Sequence, residues 1–103
     1  MVAADINLQV WLETVPDTHP AVVVPTVVSK VDETLRYQVK VAQAGAGGSS
    51  SVSQGGSATV RAGQPTALSR FSLNVGAHDR CTIQLIIAAN GHTIGTYQFE
   101  CPR

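Results

Sequence analysis

The sequence predicts an all-β sandwich of about seven strands, in a single domain spanning residues 1–103, and three observations predict it. Apolar and polar residues alternate with period two in several short runs, as they do in strands with one buried face. Those runs recur at regular spacing and are punctuated by Gly, Pro and Asn. Nowhere do apolar residues recur at helical spacing over about ten residues, which removes the crossover helices of a parallel α/β sheet.

The elements follow in order. Asp5 to Glu13 is the first strand, with Ile6, Leu8, Val10 and Leu12 on its buried face and Trp11, the single tryptophan, on the other. Trp11 is expected either half covered by a neighbour or exposed as a contact residue. Pro16 and His19-Pro20 break the chain before the Val-rich run Ala21 to Ser29. Pro25 within that run removes a ladder donor, so an edge strand or a bulge is expected there. Asp32-Glu33 turns the chain into Thr34 to Ala42, where Tyr37, Val39 and Val41 alternate with Arg36, Gln38 and Lys40. Its polar face is therefore cationic.

Gln43 to Ser57 sets Gly45, Gly47, Gly48, Gly55 and Gly56 around a serine-rich centre that has nothing to bury. It reads as a surface loop with at most a short strand within Ser50 to Ser53. Ser57 to Arg61 is a short strand with Ala58 and Val60 inward, and Gly63-Gln64-Pro65 turns the chain into Ala67 to Val75, where Phe71, Leu73 and Val75 face in. Gly76 to Arg80 is a turn. Cys81 to Glu100 is the closing hairpin about Asn90-Gly91, a dipeptide suited to a tight β-turn.

The two cysteines fall in that hairpin. Cys81, Ile83, Leu85 and Ile87 share one apolar face, as do Tyr97, Phe99 and Cys101. A strict two-residue turn would set Cys81 opposite Glu100, apolar against polar, which the pleat forbids. One extra residue, in a longer loop or in a bulge near Gly95, brings Cys81 opposite Cys101 and Ile83 opposite Phe99. A disulfide between Cys81 and Cys101 is then expected, at facing Cβ separations of ~4.5–5.5 Å. Buried reduced thiols in a cytosolic protein are the alternative.

Formal net charge is +0, so total charge argues for neither nucleic acid nor an anionic membrane as partner. Its distribution is polarised. From residue 36 to residue 70 the charges are Arg36, Lys40, Arg61 and Arg70 alone, while Asp5, Glu13, Asp17, Asp32 and Glu33 crowd the N-terminal third. Four cations on one face would steer an acidic or polar partner; the alternative is a solvated strand surface. No apolar run is long enough to span a membrane. Met1 to Ala4 carries no basic, long apolar leader, so either the protein is cytosolic or a signal peptide has been removed.

Chemistry finds no foothold. His78-Asp79 are adjacent on a turn, no G-x-S-x-G elbow is present, and Gly45 to Gly48 is followed by no Lys-Ser or Lys-Thr. His19, His78 and His92 are isolated and the cysteines lack further ligands at zinc spacing, so no metal, cofactor or enzyme activity is expected.

One ordered set of residues remains: an aromatic-bearing strand, then Gly45, Gly48, Ser50, Gln54, Gly55 and Gly56, a short strand, the turn Gly63 to Pro65, and Leu68-Ser69. This G-x-x-G-x-S-x-x-x-Q-G-G pattern followed by L-S resembles the CsgH-type members of the curli chaperone family, over the middle and C-terminal two-thirds of the chain. The resemblance implies an immunoglobulin-like or fibronectin III-like sandwich. It also implies a monomeric periplasmic protein that keeps curli major and minor subunits from premature amyloid polymerisation, without membrane insertion or nucleic acid. The closely spaced cysteine pair of the family's enterobacterial branch is absent here, and no redox role carries over. Candidate client contacts are Arg36, Gln38 and Lys40, with Arg61, Arg70 and Trp11. The competing expectation is an extracellular sandwich module for adhesion, carbohydrate binding or docking.

Overall fold

The computed structural model describes residues 8–15, 21–76 and 78–102, and within them all regular structure is β. Eight strands form: β1 (Leu8–Val15), β2 (Ala21–Ser29), β3 (Glu33–Gly45), β4 (Gly48–Val60), β5 (Thr66–Ala67), β6 (Phe71–Leu73), β7 (Arg80–Ala89) and β8 (His92–Glu100). They make two antiparallel four-stranded sheets. In one, β2 is flanked by β1 on one side and by β5 and β6 on the other; the second runs β4-β3-β7-β8. The expectations at Ile6, Pro16 and His19-Pro20 lie outside the described residues.

Alternation decides what the sheets enclose. Leu35, Val39, Ile83, Leu85 and Ile87 of one sheet and Val23 and Val27 of the other have no exposed surface, and they join Leu8, Val41, Val60, Leu68, Phe71 and Leu73 in one core. Truncating such a side chain to alanine costs ~2–5 kcal/mol, so this interleaved layer is what holds the sheets together.

Pro25 lies in the central strand of its sheet, which corrects the edge-strand alternative. Its carbonyl accepts from Leu68 N at 2.9 Å, so its nitrogen, on the same side of the strand, also faces the β5–β6 flank. There the partner is interrupted: β5 pairs with Thr26 and Val27, β6 with Ala21 to Val23, and Leu68 to Arg70 bridge the gap. The missing donor falls where the ladder is already broken on that side, while the β1–β2 register runs through Leu12↔Pro25 without a shift, so the interruption lies in the partner and the expected bulge is not found in β2. The same gap splits the single strand expected over Ala67 to Val75.

The glycine-serine segment is the larger correction. From Gly48 to Val60 it is a strand paired with β3 along its whole length, in register from Glu33↔Val60 to Gly45↔Gly48. Only Ala46 and Gly47 remain as a turn. Nearly every residue of β4 is exposed, so the expectation that the segment has nothing to bury holds while its conformation differs. A central β3 needs hydrogen-bond partners on both flanks, and that demand outweighs the poor strand propensity of Gly and Ser.

The hairpin of β7 and β8 follows the expected register by way of a bulge. Ala89 pairs with His92 across a two-residue turn in which Asn90 and Gly91 both have positive φ, 53° and 79°. Ala88 pairs with Thr93 and Ile87 with Gly95, leaving Ile94 as the extra residue. Ile83 then opposes Phe99, and Cys81 is bonded to Cys101 with Cα atoms 5.4 Å apart.

That bond closes a loop of sequence separation 20. The Cys81→Ser/Cys101→Ser variant should lose about 3 kcal/mol of unfolding free energy, read by denaturant titration, with an m-value that rises as the unfolded chain loses its cross-link. A loss below about 0.5 kcal/mol would show that the staple takes little conformational entropy from the unfolded chain.

Candidate functional site

The pleat sends Leu35, Val39 and Val41 of β3 inward and Arg36, Gln38 and Lys40 out to solvent. Outward neighbours on β4 are Ser57 beside Arg36, Gly55 beside Gln38 and Ser53 beside Lys40. On the other flank Ala88, Ile86 and Gln84 of β7 stand level with the same three residues. Gln38 Nε2 donates to Ser53 Oγ at 3.1 Å. Over Gly55 the surface dips between Arg36, Gln38, Ile86 and Ala88.

Arg36 and Lys40, four positions apart on one strand, are ~13 Å from each other at ~3.3 Å per residue. Arg80 pairs with Ala44, the next outward position but one, and continues the row on β7. Sequence reasoning left Arg80 in a turn. The alternation running back from Cys81 places it outward, but only the β3–β7 register reveals which residues it joins.

Glu100 lies on the same outer face, opposite Thr82 on β8, the far edge of the sheet. Among the described residues the one ion pair is Arg61 with Asp32 at 4.0 Å, both well exposed. Arg61 thus sits at the end of the sheet beside the β2–β3 turn, where Asp32 Oδ1 also accepts from Ala62 N at 2.7 Å. Arg70 lies between β5 and β6, against a groove that runs between the sheets past Val52 and Gln54. Trp11 is half-buried on the outer face of the opposite sheet, level with Thr26, and its Nε1 donates to Glu13 Oε1 at 3.1 Å. Of the six candidate contacts, three therefore share one face.

The loop motif has a different office. A Cβ at Gly45 would collide with the carboxylate of Asp79, which accepts from Gly76 N at 2.9 Å and Gln43 Nε2 at 3.2 Å. Gly48 takes φ +114° on leaving the turn. A Cβ at Gly55 would stand 3.2 Å from Tyr37 O, and at Gly56 3.0 Å from the Tyr37 hydroxyl, so the Tyr37 ring occupies the room that Gly56 leaves. Gln54 Oε1 accepts from Ser69 Oγ at 2.6 Å, joining the two motif parts across the groove between sheets. Ser50 is exposed beside that groove. The motif fixes how β4 is hung on β3 and tied to the other sheet.

Among the described residues no group of three His, Cys, Asp or Glu could hold a metal ion. Among the same residues no helix is long and apolar enough to cross a membrane.

A family model described as thin aggregative fimbriae synthesis protein matches residues 1–99. The fold is similar to the solution structure of CsgH from R. palustris, with TM-score 0.72 and 20% identity over 90% of this chain and 91% of that one. It is similar also to the E. coli curli protein CsgC, with TM-score 0.76 and 24% identity over 89% and 97%. At these identities the likeness speaks for the fold. A comparison with curated proteins returns no match.

Gly45 and Gly47 make a matched pair for testing the scaffold role. Gly45→Ala drives the Asp79 carboxylate off its two donors and should cost about 1–3 kcal/mol. Gly47→Ala, with nothing within 4 Å of its Cβ, should lie within about 0.5 kcal/mol of the parent in the same denaturant titration.

Proposed function

Because the chain belongs to the thin aggregative fimbriae synthesis (Tafi-CsgC) family, and so has a curli-related role, we propose that it is a periplasmic chaperone that delays amyloid polymerisation of curli subunits. It does so by brief, charge-guided contact. The observation that carries this reading is the row of Arg36 and Lys40, flanked by Ser, Gly and Gln and paired with no acid among the described residues.

Such a face raises the encounter rate with an acidic or polar polypeptide more than it raises affinity. A fast, weak encounter suits an inhibitor that meets many early oligomers in turn. Long cationic side chains standing on a sheet also oppose stacking of that sheet on another, so the inhibitor is guarded against joining the fibre. The Cys81–Cys101 bond supports an oxidising compartment, of which the periplasm is one. The client is an unfolded or early oligomeric curli subunit, and the protein acts as a monomer.

Thioflavin fluorescence of a curli subunit reads the proposal out. A small molar fraction of this protein should lengthen the lag severalfold, and Arg36→Glu/Lys40→Glu should weaken that effect by roughly tenfold with an unchanged melting curve. No delay at equimolar protein would discard the reading in favour of an adhesion or docking module. Undiminished delay by the variant would move the contact elsewhere.

A further inference from the structure

The outer edge of β4 is at odds with how sheets are normally ended. Edge strands are commonly kept from pairing with other chains by brevity, by a charge, by proline or by a bulge. β4 has 13 residues in unbroken register, with no charged residue and no proline among them. The other long edges are guarded: β8 carries Glu100 and a bulge at Ile94, and β1 carries Glu13. No described strand pairs with the outer edge of β4.

Which groups that edge offers follows from the hairpin. Gly45 and Gly48 flank a two-residue turn and exchange both main-chain bonds, so the even positions of β4 bond to β3. The same alternation carried across β3 and β7 directs the carbonyl of Cys81 towards β8, and Cys101 N does donate to Cys81 O at 3.2 Å. The odd positions, Ser49, Ser51, Ser53, Gly55, Ser57 and Thr59, therefore direct their main-chain N–H and C=O groups outward, away from β3.

We propose that this edge accepts an extended, acid-bearing segment of the client as a transient extra strand. The proposal rests on the chaperone reading above and names how the contact is made. On the outer face, Ser53, Gly55 and Ser57 put almost no bulk between an added strand and the longer side chains of Lys40 and Arg36. Adjacent strands are ~4.8 Å apart, so those cations reach across β4 to carboxylates on the newcomer. On the inner face, the newcomer's alternate side chains meet the groove lined by Val41, Val52, Phe71 and Leu73, with Arg70 beside it. Val52, 52% exposed, is the apolar contact left open there. Both faces next to β4 are thus cationic, whereas the β8 edge carries Glu100. Main-chain pairing supplies affinity for many sequences, and the charges choose among them.

Proline at an odd position removes a free donor without breaking a bond to β3, which makes the test selective. Ser51→Pro and Ser57→Pro should each keep the parent melting curve, and together weaken the thioflavin lag extension by roughly tenfold for two lost main-chain bonds. On the parent protein, a soluble peptide segment of a curli subunit should slow amide exchange at Ser51, Ser53 and Gly55 by about tenfold at ~90% occupancy, and leave Val52 and Gln54 unchanged. That second measurement stands even if a proline variant fails to fold. A parent that delays fibres while those amides exchange freely and the prolines inhibit fully would overturn the edge pairing and leave the chaperone reading intact. A parent that never delays fibres would remove the chaperone reading itself. Protection of the odd amides by raising the protein's own concentration would assign the edge to a second copy and overturn the proposal.

Discussion

The register of β3 is the constraint on which the rest depends. This strand is hydrogen-bonded on both sides, to β4 and to β7, and its side chains alternate between the core and the outer surface. A slip of one residue would carry Arg36, Gln38 and Lys40 inward and Leu35, Val39 and Val41 into water. Burying an unpaired cation costs several kcal/mol, so no neighbouring register competes. One choice therefore sets both the core and the charged face, and surface chemistry is as well specified as packing. The register is pinned locally as well: Gly45 admits Asp79, and the ring of Tyr37 covers Gly56 directly across the ladder.

Where the sequence carries a burial pattern, its reading matches the structure closely. Ala21 to Ser29 is a strand with those bounds, and the pleat argument on Cys81, Glu100 and Cys101 led to one extra residue near Gly95, which is Ile94. β4 was illegible because it buries so little. A run of Ser and Gly has neither alternation nor propensity, and its conformation comes from a neighbour's main-chain groups. Pro25 was half legible: its lost donor demanded an interruption, but only the break between β5 and β6 shows that the interruption lies in the partner. For the candidate site, Arg36, Gln38 and Lys40 were readable from alternation alone. The separate positions of Arg61, Arg70 and Trp11, and the company of Arg80, depend on which strands pair, a long-range fact that no local pattern holds.

The two sides of the β4-β3-β7-β8 sheet differ in a way that bears on the proposed role. Towards β4 the outer face is cationic and small-residued; towards β8 it includes Glu100. Cations ~13 Å apart exceed the ~8 Å Debye length of physiological salt, so each acts nearly alone on a close partner there. At low ionic strength their fields merge, and the face as a whole would draw in an acidic chain.

Ionic strength is therefore the sharpest probe of the claim that charge on the β3 face guides the encounter. Stopped-flow association of the protein with a monomeric curli subunit, from about 0.01 to about 1 M salt, spans Debye lengths of ~30 to ~3 Å. The account predicts an association rate that falls by at least about tenfold across that range, with a dissociation rate that changes much less. An association rate that stays flat would contradict it, because an encounter indifferent to screening is not steered by Arg36 and Lys40.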